Sequence, residues 1–241
     1  MGFVSRRDIR NYVATTGYLW RPNRQVLREV FSAIEFNRTD NLGGGVQSSV
    51  ARFRLAEFTS QRGDSINFRW LRHRENFAEP FEIFPGTTVP KGNYVYDNYG
   101  VILRFADHRR LSGDVAYFGG TDFDGSKRAG RGSINWRPSK HLGLEAAIRY
   151  GQWRLPAGEF TTRLMTLRAR IVFSNTLSWV NLAQYDNLSR VLGINSRLHW
   201  SPQAGRELFF VINHNLIDDV ETGLRSTDAD ITLKINYTLR F

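Results

Sequence analysis

The last twelve residues alternate without interruption between apolar and polar side chains, and this alternation constrains the fold more than any other feature. The apolar members are Ile231, Leu233, Ile235, Tyr237, Leu239 and Phe241. Successive side chains of a β-strand point to opposite faces, so the segment predicts a strand with one apolar and one polar face. Transmembrane barrels use strands of about ten residues of this kind, with lipid outside and water inside. A strand of a soluble β-sandwich is the alternative.

This closing strand also resembles the terminal signature of bacterial outer-membrane barrels, in which a final aromatic residue follows apolar residues at alternate positions. The resemblance implies that the barrel assembly machinery reads an assembly signal on this strand. Its members would be Leu233, Ile235, Tyr237, Leu239 and Phe241. The resemblance further implies a location in the bacterial outer membrane, in contact with its lipid and lipopolysaccharide.

The composition fits one β-domain spanning residues 1–241 and argues against several other classes. The 241 residues include no cysteine, so neither a disulfide scaffold nor a cysteine metal site is expected, and no cofactor is predicted. The net charge is +10, and 29 of the 33 basic residues are arginines. Those arginines are spread at strand spacing rather than collected in a tail or a recognition helix, so nucleic acid is not an expected partner.

Short alternating segments separated by turn signals repeat roughly every 18 residues and predict about thirteen antiparallel strands in up-and-down order. Residues 25–38 also fit one face of a helix, and we interpret them as a strand because their neighbours are strands. Bacterial single-chain barrels have even strand numbers, and residues 1–8 contain no apolar export signal. We therefore expect the C-terminal part of a longer protein, an N-terminally truncated transmembrane barrel of about 14–16 strands.

Two further features fit a membrane barrel. The longest irregular segment is predicted at residues 75–93, which hold three of the seven prolines, and long connections in such barrels face outward. The six tryptophans lie mostly near predicted strand ends, as in an aromatic girdle at the membrane interface. Tryptophans in the core of a soluble protein are the alternative.

Several phrases occur in the order and spacing of one known family. They are GFVSRRD at 2–8, PFEI at 80–83, VPKGNY at 89–94, DG at 124–125, RPS at 137–139, LPAGEF at 155–160, QYDN at 184–187, NSRLHW at 195–200 and GRELFFV at 205–211. Over essentially its whole length the chain resembles the C-terminal barrel of bacterial outer-membrane proteins whose complete members carry an N-terminal carbohydrate-binding-family-9-like domain. The resemblance implies a barrel linked to such a domain and supplies no catalytic residues.

If the apolar face of each strand meets lipid, a largely basic set of side chains points the other way. The candidate lumen-lining residues are Arg52, Arg54, Arg69, Glu145, Arg149, Arg168, Arg170, Arg197 and Lys234. Rings of arginine favour anions, because a guanidinium offers a fork of donors that fits carboxylate or phosphate. The sequence thus predicts a pore or transport-associated barrel for an anionic solute or carbohydrate. In the alternative, these residues form internal ion-pair ladders in a barrel that anchors an external domain without conductance.

Catalysis is a less favoured function. The five histidines stand singly, and no GxSxG, HExxH or paired-acid motif accompanies them. Asp122, Asp124 and Gly125 resemble part of a calcium loop, but the closing glutamate is missing, so a tight turn explains them better. We therefore predict neither a catalytic nor a metal site. A hydrolase site at the barrel rim and a soluble lipocalin-like binder remain as alternatives.

Overall fold

The computed structural model describes residues 8–22, 24–219 and 223–238. Strands make up 80% of the chain, and the described part contains no helix, hence none that could cross a membrane. The strands are β1 (Ile9–Trp20), β2 (Leu27–Asn41), β3 (Val46–Ser60), β4 (Ser65–Phe77), β5 (Phe81–Phe84), β6 (Thr87–Val89), β7 (Gly92–Phe105), β8 (Leu111–Asp122), β9 (Gly125–Trp136), β10 (Leu142–Leu155), β11 (Gly158–Val172), β12 (Leu177–Asp186), β13 (Val191–Gln203), β14 (Arg206–Asp219) and β15 (Gly223–Tyr237).

Thirteen of these strands form one antiparallel sheet with an up-and-down order. The order is β1-β2-β3-β4-β7-β8-β9-β10-β11-β12-β13-β14-β15, so the predicted number of long strands and their topology are confirmed. The interpretation of residues 25–38 as a strand is also confirmed, because β2 covers most of them. Within the described residues the sheet is not closed, and β1 and β15 are its two edges.

The segment 75–93 is not irregular, and the prediction of a long structureless loop there is wrong. β4 extends to Phe77, which pairs with Gly92 at the start of β7. Between them β5 and β6 form a separate two-stranded hairpin. Its turn contains Gly86 with a φ of +79°, and the Gly86 N–H donates to Glu82 Oε1 at 2.7 Å. The prolines that suggested a loop lie just outside the short strands, where they remove no ladder hydrogen bond.

Contacts divide the chain into two compact units. The first unit comprises Met1–Phe105, Val115–Gly130 and Gly151–Thr161. The second unit comprises Ala106–Asp114, Arg131–Tyr150 and Thr162–Phe241.

The first unit exposes a face rich in large apolar side chains, which we call its apolar face. Trp70 pairs with Phe53 and with Tyr99, and the rings stack at centroid distances of 4.5 and 6.5 Å. The other exposed apolar side chains of this face include Tyr12, Tyr18, Trp20, Ile34, Phe36, Leu55, Phe68, Val95, Leu103, Phe105 and Tyr117. Because side chains alternate, the residues between them point to the opposite face, which we call the polar face.

The buried core of the first unit lies on the polar face, where the β5–β6 hairpin packs against strand ends. Tyr94 and Tyr96 are buried whereas Val95 between them is exposed, so the hairpin covers the polar side of β7. The hairpin core consists of buried Val89, Tyr94, Tyr96, Leu155 and Phe160 and partly buried Phe77, Phe81, Ile83, Phe84, Phe123 and Trp153. Trp153 therefore belongs to a core and departs from the predicted girdle, whereas Trp20, Trp136 and Trp200 are exposed at or near strand ends.

The second unit has the same two faces but almost no buried core. Trp179, Leu198, Phe210 and Leu233 pair across four neighbouring strands and share one face. The exposed large apolar residues of this face include Ile134, Trp136, Ile148, Tyr150, Met165, Leu167, Trp179, Ile194, Trp200, Phe210, Ile231, Leu233, Ile235 and Tyr237. Among the unit's described residues, the buried ones are Ala106 and Ser112.

Candidate functional site

Arg52, Arg54 and Arg69 lie together on the polar face of the first unit. In the pairing of β3 with β4, Arg54 stands opposite Arg69. In the pairing of β2 with β3, Glu35 stands opposite Arg52. Each of these arginines neighbours Phe53 or Trp70 in sequence and therefore points away from the apolar face. The strands thus bring three of the predicted guanidiniums to one patch.

One carboxylate is the common acceptor of this patch. Arg54 Nη1 lies 3.1 Å from Glu57 Oε2, and Arg104 Nη1 lies 3.9 Å from Glu57 Oε1. Asn67 is only 2% exposed, donates from Nδ2 to Glu57 at 2.7 Å and accepts from Arg69 Nε at 3.1 Å. We call these five residues the arginine cluster. Two guanidiniums lie near the Glu57 carboxylate and that of Arg69 is linked to it through Asn67, so the cluster carries a net positive charge.

Sequence reasoning missed Glu57, Asn67 and Arg104 as members of this cluster. Strand alternation contains the signal for Asn67, which lies two residues before Arg69 on β4. Glu57 could not be placed in this way, because a register shift between Arg54 and the following residues of β3 turns it onto the polar face. On a regular strand Arg54 and Glu57 would point to opposite faces, because they are three residues apart.

The hairpin core adds a buried aromatic and ionic group to the same face. The rings of Phe84 and Phe160 stack at 4.5 Å, and Phe160 stacks in turn on Trp153 at 5.0 Å. Asp122 is buried and accepts a hydrogen bond from Trp153 Nε1 at 2.7 Å, and Lys127 Nζ lies 3.6 Å from its carboxylate. Burying a carboxylate is tolerated when a cation and a donor satisfy it. Asp122 therefore stabilises the hairpin core through Trp153 and Lys127 and is better explained by this role than as a calcium ligand.

In the second unit, Glu145, Arg168 and Arg170 line one open pocket of about 410 Å³. Arg168 Nη1 lies 3.4 Å from Glu145 Oε2. The other polar lining residues are Asp107, Asn135 and Arg137. Arg137 donates from Nη2 to the backbone oxygen of Asp107, which fixes one guanidinium at the edge of the pocket.

Arg149, Arg197 and Lys234 lie on the polar face of the second unit but do not line this pocket. Val180 pairs with both Arg170 and Arg197, which places these two arginines in one row across three strands. Lys234 lies on β15 within the polar half of the terminal alternation. The structure therefore gathers some of the predicted side chains at the pocket and distributes the others along the face.

A ladder of amides and a carboxylate crosses the last three strands and was missed from the sequence. Asn195 Nδ2 donates to Asn213 Oδ1 at 2.6 Å, and Asn213 Nδ2 donates to Asp230 Oδ2 at 3.3 Å. Thr232 Oγ1 also donates to Asp230 at 3.0 Å. The register explains the ladder, since Asn213 pairs with Asn195 on one side and with Asp230 on the other. Hydrogen bonds along the face thus join these polar side chains to one another.

Three members of the predicted assembly signal, Leu233, Ile235 and Tyr237, are exposed on the apolar face of β15. Leu239 and Phe241 lie outside the described residues, as do residues 1–7 with most of the first family phrase. Recognition by the assembly machinery stays a prediction.

The histidines have individual surroundings. His141 Nδ1 lies 2.7 Å from the Val172 backbone oxygen, and His199 stacks on Phe209 at 4.3 Å. His214 Nε2 lies 2.9 Å from Ser226 Oγ in a solvent-exposed pair. In the described ranges, no group of three or more histidine or acidic side chains has the arrangement of a metal site. A rim hydrolase stays an untested alternative.

Comparisons with protein-family models, with curated proteins and with solved structures find no match to this chain.

Proposed function

We propose that this chain forms a bacterial outer-membrane β-barrel whose apolar face meets lipid and whose basic polar face lines a passage for anionic solutes. The exposed apolar face is the observation that carries the proposal. Every one of the thirteen strands of the sheet exposes at least one large apolar side chain. Contiguous apolar surface of this extent is unfavourable in water and favourable against hydrocarbon.

The charge of the polar face supports an anionic solute. The arginine cluster has three guanidiniums for one carboxylate, and the pocket of the second unit has Arg137, Arg168 and Arg170 beside Glu145 and Asp107. Such an excess of guanidinium groups lowers the free energy of an anion on this face relative to a cation. The resemblance to barrels with a carbohydrate-binding-like domain makes an acidic carbohydrate one class of solute to test.

The hairpin core favours a second function. Its aromatic side chains occupy the polar face of the first unit, where a passage would need open space. If the hairpin stays in place, the barrel conducts poorly and serves to anchor an external domain. If the hairpin can be displaced, it restricts an otherwise open pore.

The first test asks whether the chain is a membrane barrel. The protein is extracted from outer membranes or folded in detergent, and its gel migration is compared with and without boiling. We expect a compact band that shifts on boiling, because a closed transmembrane barrel resists detergent. Solubility without detergent and no shift would contradict the proposal and favour a soluble β-domain.

The second test separates pore from anchor in planar bilayers. Residues 78–91 are replaced by Asn-Gly, a two-residue turn that suits the antiparallel pair formed by Phe77 and Gly92. For a restricted pore, we expect conductance to rise in the replacement variant. A variant that still shows the boiling-dependent shift but remains closed would favour the anchor.

The anion preference has its own matched pair of variants. Arg69→Gln removes a guanidinium from the arginine cluster, whereas Arg74→Gln removes an exposed one from the other face of the same strand. We expect the permeability ratio of chloride to potassium to fall only for Arg69→Gln. Equal effects of the two substitutions would argue against conduction along the polar face.

A further inference from the structure

An arginine stands on the apolar face of the first unit, where the proposed function places lipid. Lys127 points to the polar face, because its Nζ lies 3.6 Å from Asp122 and 5.2 Å from the centre of the Trp153 ring. Its neighbour Arg128 therefore points to the apolar face and is exposed. Within the described part of the chain, no acidic side chain forms an ion pair with Arg128.

An unpaired guanidinium on a lipid-facing surface is costly in the middle of a bilayer and nearly free at its interface. The cost for arginine is roughly 2–4 kcal/mol at the midplane and close to zero near the head groups. Arg128 lies three residues after Gly125, the first residue of β9, and so close to the β8–β9 turn. Tyr99, beside the Trp70 ring, lies on the same face, and tyrosine and tryptophan are enriched at such interfaces. Arg128 is thus placed to meet head-group phosphate.

Next to Arg128 the apolar face contains a groove of about 660 Å³. Its apolar wall consists of Leu55, Phe68, Tyr99, Val101 and Tyr117. Gly119 lies in the lining, next to the ring of Tyr117. A Cβ there would lie 3.1 Å from the Tyr117 hydroxyl, so a larger residue would displace the Tyr117 ring and occupy part of the groove.

The position of the groove along the strands indicates which leaflet of the membrane it would face. Arg128 and the β8–β9 turn lie at the strand ends that carry the hairpin, since Phe123 of that turn packs on Phe81 of β5 at 5.8 Å. The longest connection of the sheet is therefore at this end, and long connections of outer-membrane barrels face outward. The lipid of that leaflet with several acyl chains and phosphate groups is lipopolysaccharide.

We propose that the groove binds the lipid A moiety of lipopolysaccharide, with a phosphate at Arg128 and an acyl chain along the apolar wall between Tyr99 and Tyr117. A guanidinium gives phosphate two parallel hydrogen bonds, and the apolar wall of the groove gives an acyl chain additional van der Waals contacts. This inference rests on the proposed outer-membrane location and adds a specific lipid site to it.

The test measures retention of hexa-acylated lipid A by native mass spectrometry on the full chain folded in detergent. Arg128→Gln is expected to weaken retention by about tenfold or more, because a charge-assisted pair is lost. Gly119→Leu is expected to abolish it by filling the groove. The matched controls are Arg131→Gln, on the same strand but paired with Asp114 at 3.3 Å, and Gly132→Leu, where a Cβ would make only ordinary contacts with the Asp114 backbone oxygen and Ile148.

Some outcomes of this test would contradict the lipid site alone, and others would also contradict the barrel proposal. Equal retention by the wild type and Arg128→Gln, or equal retention of phosphatidylcholine and lipid A, would overturn the lipid site. A dimer in which a second copy of the chain covers the groove and excludes lipid A would overturn the lipid site as well. In each case a normal boiling-dependent shift would leave the barrel proposal standing, whereas a chain that is soluble without detergent and shows no shift would overturn both.

Discussion

The two units are built from strands of the same two-faced chemistry, yet they bury very different amounts of side chain. In the first unit, the β5–β6 hairpin covers part of the polar face and creates a core around Tyr94, Tyr96 and Phe160. In the second unit, the described residues that are buried are only Ala106 and Ser112. A single-layered sheet has no core of its own, because no second layer covers either of its faces. An inserted segment that packs on the polar face supplies one.

The largest expected difference between the units follows from removing one aromatic ring. Phe160→Ala takes a buried ring out of the stack formed with Phe84 and Trp153, and such changes lower the free energy of unfolding by about 3–5 kcal/mol. Phe209→Ala is the matched change on the open polar face, where Phe209 stacks only on His199, and should cost about 1 kcal/mol. Urea unfolding in detergent, followed by the boiling-dependent gel shift, measures both. Equal losses would remove the distinction between the units.

A smaller difference is expected for two asparagines. Asn67→Leu removes a buried amide that bonds Glu57 and Arg69, so we expect a loss of about 1–3 kcal/mol, because two charged groups lose a partner. Asn195→Leu removes the amide that donates to Asn213 in the less buried ladder, where water can replace it. Its cost should stay below about 1 kcal/mol. The same unfolding assay checks the order, and a larger effect at Asn195 would contradict it.

The smallest effects concern ion pairs and require double-mutant cycles. The Arg54 and Glu57 side chains are 25% and 15% exposed, whereas those of Arg168 and Glu145 are 45% and 36% exposed. Solvent screens the second pair more strongly, so its coupling energy should be about 0–1 kcal/mol and that of the first pair larger. Raising the salt concentration should reduce the coupling of the Arg168 pair more. The opposite order would mean that exposure does not set the strength of these pairs.

Local alternation was sufficient to predict the strands, their antiparallel order and the faces of residues such as Arg69 and Arg170, because a strand's period of two depends only on neighbouring residues. The turn at 123–124 was predictable from Asp122, Asp124 and Gly125, because turn-forming residues are also a local signal. The hairpin was not, since β5 and β6 are short and acquire order from Trp153 and Phe160, which are distant in sequence. The bulge in β3 that turns Glu57 to the polar face is likewise invisible to a periodic pattern.

The hairpin core also has a consequence for the order of folding. Phe84 and its stacking partner Phe160 are separated in the chain by β6, β7, β8, β9 and β10, so their contact closes a long loop. Contacts that close long loops form late and slow the overall rate. Each β-hairpin of the sheet can form from neighbouring residues, whereas we expect the stack of Phe84, Phe160 and Trp153 to form only once β11 is in place. Phe81 can pack early on Phe77, which is close in sequence, whereas Phe84 stays uncovered until it meets Phe160, and we expect that contact to complete the first unit.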